Sequence, residues 1–161
     1  QALRGIPLAQ GDAITALFVG AGELESSLRE MAHTLEAERG IRTVFAGFVN
    51  QSKLTAYYLA SDTVVLPSRR AGETWGLVVN EALQAGCGVV VSEAVGCHRD
   101  FGSWERFRVI PVGDAARLAT ALAETRGYPR DSEWAVYGMG AYTVEKAADA
   151  IAIAMVTTPG F

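Results

Sequence analysis

The chain has 161 residues, of which 50% are hydrophobic and 20% charged, and its formal net charge is −4. That composition belongs to a folded domain with its own core rather than to a disordered chain. The mild acidity argues against general polyanion binding, so no nucleic-acid partner is expected. No apolar run reaches the roughly 20 residues that a membrane-spanning helix needs.

The chain does not open on Met, has no signal peptide, and Gln1–Gly5 reads as the end of a helix. It is read as a piece of a larger protein. Ile14–Val19 is predicted to be a strand. Glu23–Arg39 follows as a helix, with Leu24, Leu28, Met31 and Leu35 at helical spacing. Gly40 is its stop signal. Ile41–Ala46 reads as the second strand. Asn50–Ala60 reads as a helix capped by Asn50 or Ser52, with Leu54, Tyr57 and Tyr58 on one face. Thr63–Leu66 is the third strand and Gly76–Ala85 its helix. Gly88–Ser92, with its Val-Val-Val run, reads as a strand buried on both faces. Arg108–Pro111 is a short fifth strand. Helices are predicted over Ala115–Thr125, Asp131–Met139 and Val144–Met155. Cys87 and Cys97 lack metal-cluster spacing and read as reduced thiols of a cytosolic protein.

Strands alternating with helices imply βαβ units, a parallel sheet and right-handed crossovers that place helices on both faces. The expected architecture is a Rossmann-like α/β/α sandwich. Ligands of such sheets bind beyond the carboxyl ends of the strands. The loops in question are Gly20–Glu23, Gly47–Asn50, Pro67–Trp75 and Glu93–Gly102.

The chemistry concentrates between Pro67 and Gly86. A strand runs into a polar loop that ends in Glu73, then Trp75-Gly76, and a helix carrying Glu81 begins. If Gly76 opens the helix, Glu81 lies about 7 Å along its axis. The helix start offers N–H groups and roughly half a positive charge, which suits an anion. A carboxylate on each side suits hydroxyls. A nucleotide-sugar has that distribution of groups. No Asp-x-Asp motif or His/Cys cluster marks a metal site, so no metal and no cofactor is expected. Gly20-Ala-Gly22 has Glu25 where a dinucleotide loop has its third glycine, and it reads as a strand-to-helix turn. A glycoside hydrolase with Glu73 and Glu81 as its two carboxyls is a competing reading. A helix start between them suits an anion better than an attacking water.

Glu73-Thr-Trp-Gly-Leu-Val-Val-Asn-Glu81 resembles the E-x7-E signature of retaining glycosyltransferases of GT-B architecture, the glycosyl transferases group 1 type. Phe18-Val-Gly-Ala-Gly-Glu-Leu24, Phe45-Ala-Gly-Phe-Val49, Ala60-Ser-Asp62, Leu66-Pro-Ser68 and Val91-Ser-Glu-Ala-Val-Gly96 fit the same family in order and spacing. The resemblance covers roughly residues 14–155. It implies the donor-binding C-terminal domain, with the first strand of that domain and the acceptor-binding N-terminal domain lying outside residues 1–161. It also implies the site roles. Glu73 would contact the donor sugar. The N–H groups of Gly76 and Leu77 would face the diphosphate. Glu81 would accept from the ribose hydroxyls. Gly47, Phe48 and Val49 would border the base, and Trp75 would stand beside the loop. The implied partner is a UDP-, GDP- or ADP-sugar, in a cytoplasmic protein that could meet the inner membrane face through its other domain. The alternative is a non-catalytic nucleotide-binding or docking module of the same fold.

Overall fold

The computed structural model describes residues 1–69, 74–126, 128 and 131–157. The elements in chain order are α1 (Ala2–Gly5), β1 (Thr15–Val19), α2 (Glu25–Arg39), β2 (Arg42–Gly47), α3 (Gln51–Leu59), β3 (Thr63–Leu66) and α4 (Leu77–Gln84). They continue as β4 (Gly88–Ser92), α5 (His98–Phe101), β5 (Phe107–Ile110), α6 (Ala115–Thr125), α7 (Val136–Met139) and α8 (Val144–Thr157).

The predicted signals act where the sequence puts them. Gly40 ends α2 in the left-handed conformation, at φ 64°, and its N–H donates to the Glu36 carbonyl. The Asn50 side chain caps α3 by accepting from the Ser52 N–H. The structure adds a cap that the sequence reading did not name, Asp114, which accepts from the Arg117 N–H at the start of α6.

Every strand pairing among the described residues is parallel. β4 lies between β3 and β5, and all five of its residues are buried. Successive side chains of a strand point to opposite faces. Val89 and Val91 pack with Val79, Ala82 and Leu83 of α4, whereas Val90 packs with Ile110 and with Ala121 of α6. α4 and α6 therefore cover opposite faces of the sheet. α3 packs beside α4, and α1 packs against both α6 and α2. The result is an α/β/α arrangement of parallel strands between two helical layers.

Two features depart from the sequence reading. The strands form two sheets, β1–β2 and β3–β4–β5, rather than a single one. α1 bridges them by touching the helices that cover each. The apolar stripe of α2 is also largely uncovered. Leu35 is buried, but Leu24, Leu28 and Met31 are exposed. The two go together: among the described residues β1 pairs with β2 alone, and the surface beside it stays open.

A third difference lies near Asp131, where a helix over Asp131–Met139 shrinks to α7. The Asp131 carboxylate accepts from the Glu133 N–H at 2.8 Å and pairs with Arg106 at 3.5 Å. Such an Asx turn competes with helical bonding.

Candidate functional site

The carboxyl ends of β3 and β4 converge on the start of α4. The Ser92 hydroxyl, ending β4, donates to the Ser68 carbonyl beyond β3 at 2.5 Å. The Cys97 N–H donates to the Trp75 carbonyl at 3.1 Å. Two glycines permit this closeness. A Cβ on Gly96 would stand 2.0 Å from the Thr74 carbonyl oxygen. Gly76 has φ +94°, and a Cβ there would lie 2.7 Å from Val95 Cγ1. Gly76 is thus a left-handed N-cap whose Cβ side faces packed side chains.

From that cap the helix presents two different faces. Val79, Ala82 and Leu83 are buried in the core, while Leu77 and Val78 are exposed. Trp75 is half-buried, meets the Phe101 ring edge-on at 6.2 Å, and donates from Nε1 to the Asn80 side chain at 3.0 Å. Its indole is a brace between the loop and the first turn of α4.

Glu81 is partly exposed and follows in the next turn. Its Oε2 accepts a 2.7 Å hydrogen bond from the Tyr58 hydroxyl on α3. Burial first, and then this bond and the charge of Glu81, push the Tyr58 hydroxyl well above the ordinary phenol range. Tyr58 is therefore a neutral donor throughout the physiological range. The sequence placed Tyr58 on the packing face of its helix. Its pairing with Glu81 joins two helices and leaves no trace in the spacing of either.

Gly47 ends β2 in the left-handed conformation, at φ 66°, and its carbonyl accepts from the Gly20 N–H at 2.8 Å. Phe48, immediately beyond, is 84% exposed. Gly47, Phe48 and Val49 thus stand at the carboxyl end of the two-stranded sheet. Trp75, Gly76, Leu77 and Glu81 stand at that of the three-stranded one. α3, which starts at Gln51 just beyond Val49, is the physical link between the groups through Tyr58. Glu73, with Arg70, lies outside the described residues. Arg69 is exposed.

His98 and Asp100 belong to the short α5. His98 Nδ1 lies 2.8 Å from the Val95 carbonyl, and Asp100 accepts from the Tyr142 hydroxyl at 3.4 Å. Cys87 and Cys97 are buried. Among the described residues no group of His, Cys, Asp or Glu could hold a metal ion, and no helix is long and apolar enough to cross a membrane.

The helix start and the carboxylate stand at the carboxyl edge of a parallel, Rossmann-like sheet, which is where ligands of such folds bind. Residues 1–125 match the family model for glycosyl transferases group 1, and the chain belongs to that family. It is similar to the phosphatidyl-myo-inositol mannosyltransferase of Mycolicibacterium smegmatis, with 33% identity over 68% of this chain and 27% of the relative. An uncharacterised glycosyltransferase of Methanocaldococcus jannaschii is 36% identical over 50% of this chain and 20% of its own length. The chain thus spans no more than about a quarter of these relatives.

The fold also matches that of the Anabaena protein HepE, solved with UDP, with UDP and glucose, and with UDP-glucose. For the UDP and glucose complex the TM-score is 0.69 at 23% identity, covering 98% of this chain and 43% of HepE. At that identity the likeness concerns the fold alone.

Proposed function

We propose that this chain is the donor-binding part of a retaining glycosyltransferase that uses a nucleoside-diphosphate-sugar. The observation that carries the reading is Glu81, one turn beyond the glycine-capped start of α4, at the carboxyl edge of the sheet. Family membership and a neighbour of the same fold solved with UDP-glucose support it.

In this reading the N–H groups of Gly76 and Leu77 face the diphosphate. Glu81 accepts from the ribose, Phe48 and its neighbours border the base, and Glu73 contacts the sugar. Transfer breaks the bond from C1 to the diphosphate oxygen and forms a bond from C1 to an acceptor oxygen, whose proton is lost. Negative charge grows on the leaving phosphate, where N–H donors fixed in advance stabilise it. The reading includes no metal and no cofactor.

The acceptor site belongs to a further domain of a longer protein. A doubly wound sheet has the strand order 3-2-1-4-5-6. The two sheets, β1–β2 and β3–β4–β5, are read as the two flanks of such a sheet. The longer protein is read as supplying a parallel strand between β1 and β3. It would work in the cytoplasm, meeting the inner membrane face through its acceptor domain. The chain of residues 1–161 alone is expected to transfer no sugar, and product from any acceptor would overturn that.

The test is ligand-observed NMR of the purified chain with UDP, GDP, ADP and NAD. Binding of a nucleoside diphosphate, lost in Glu81→Ala, is the expected result. Preference for NAD would overturn the assignment.

A further inference from the structure

Glu81 is the carboxylate on which the ribose contact depends, and a half-exposed glutamate on a helix surface samples several rotamers. In this structure it does not act alone. Tyr58 reaches it from a different helix, with 2.7 Å between the hydroxyl and Oε2.

Tyr58 is itself well anchored. Its ring packs against the main core cluster, and its backbone carbonyl accepts from the Cys87 thiol at 3.2 Å. The start of α3 is fixed by the Asn50 cap. The hydroxyl is therefore delivered from a braced position.

A carboxylate has about four lone-pair sites over its two oxygens. Tyr58 occupies one of them on Oε2, which leaves Oε1 and the other Oε2 site for further donors. A ribose cis-diol carries two adjacent hydroxyls and matches what is left. We propose that Tyr58 is a positioning residue: its hydroxyl fixes the Glu81 carboxylate so that its remaining acceptor sites meet both ribose hydroxyls of a nucleoside diphosphate. This rests on the donor-site reading above and adds to it a source of selectivity for ribose. It makes no contact with the reacting sugar, so its effect falls on binding of the nucleotide.

The readout is the preference for the ribose form over the form lacking both hydroxyls. A residue that merely supports the fold would weaken both nucleotides alike. The best binder among UDP, GDP and ADP is titrated against wild type, Tyr58→Phe, Glu81→Gln and the double variant, alongside its 2′,3′-dideoxy analogue. A hydrogen bond to a charged group changes an equilibrium constant by roughly ten- to a hundredfold, and water at this partly exposed site replaces much of it. Tyr58→Phe is expected to cut the ribose-to-dideoxy preference by roughly three- to tenfold, with only a small drop in thermal midpoint. In the Glu81→Gln background the same change is expected to add little, because the two act as one unit.

An unchanged preference in Tyr58→Phe, or equal weakening of both nucleotides, would overturn the role of Tyr58 while leaving the donor site standing. Nucleotide binding by wild type without any ribose preference would remove the ribose from Glu81. Absence of binding by all three nucleotides would sink the donor-site reading. Either of these last outcomes takes the role of Tyr58 with it.

Discussion

The β3–β4–β5 sheet and the β1–β2 sheet are built from similar residues and end up in opposite environments. β4 (GVVVS) is buried throughout, with a strand on either side and a helix on either face. Among the described residues β1 (TALFV) pairs only with β2, and Leu17, Phe18 and Val19 are 36%, 36% and 43% exposed. Hydrophobic sequence permits burial, but neighbours deliver it. The site follows the same division. The start of α4 and Glu81 are set on the packed side, while Phe48 projects from the open side.

The largest expected effect contrasts two phenylalanines. Phe101 is 0% exposed and lies among Trp75, Trp104, Phe107 and Tyr142, with ring centroids 4.8–6.2 Å away. Phe101→Ala should cost about 3–5 kcal/mol in urea unfolding. Phe18 stacks on Phe45 at 5.0 Å and keeps one side open. Phe18→Ala should cost about 1 kcal/mol, since partial burial forfeits only part of the transfer energy. Equal costs would mean that the open side is closed in solution.

A smaller contrast uses glycines. Gly96→Ala places a methyl group against the Thr74 backbone, and its relief has to shift the loop before α4. We expect a loss of about 1–3 kcal/mol, typical of overpacking, together with weaker nucleotide binding. Gly47→Ala meets nothing within 4 Å and suffers only the left-handed backbone, about 1 kcal/mol. The two variants, compared by unfolding midpoint and by NMR titration, separate crowding from backbone strain. If Gly47→Ala proves the more damaging, the open side is more tightly packed than its exposure indicates.

Amide exchange sharpens the same division without mutation. The N–H groups of β4 should exchange only on global unfolding, and those of β1 by smaller local openings. Uniform protection across both sheets would argue against the division.

Much of this was readable from residues alone, and the limits are physical. β3, β4 and α6 keep their predicted bounds because local pattern and tertiary setting agree there. The caps Gly40 and Asn50 are local chemistry and so are visible in sequence. The break between β1 and β3 is not, because strand order is a property of long-range pairing. The exposed stripe of α2 has the same origin. The periodicity of Leu24, Leu28 and Met31 says which face wants cover, and only the fold says whether cover is present. At the site, Glu81 and Gly76 were legible through helix spacing. The Tyr58 bond spans 23 residues and two helices, and the Gly96 contact joins two loops, so neither has a local signature.

The smallest effect concerns a strap between the two sides. Asp12, in the loop before β1, pairs with Arg126 just beyond α6 at 2.8 Å and also accepts from the Ala9 N–H at 2.8 Å. Arg126 in addition donates to the Pro7 carbonyl at 3.3 Å. The bond from Arg126, then that from Ala9, holds the Asp12 carboxyl below its usual pKa. A carboxyl lowered on folding adds stability above its unfolded value, and that stability is lost as pH falls through the folded one. The contribution is therefore complete at neutral pH and disappears below the ordinary carboxylate range. Because the pair is solvent-exposed, the effect is small and weakens further with salt. Asp12→Asn should lower the urea midpoint slightly at pH 7 and lose less than wild type on going to pH 3. Since its Asp12 end lies in the loop that leads into β1, the same variant should speed amide exchange in β1 and β2 more than in β4. Equal acid sensitivity in the two proteins would show that the strap adds nothing to what α1 and α3 contribute in holding the sides together.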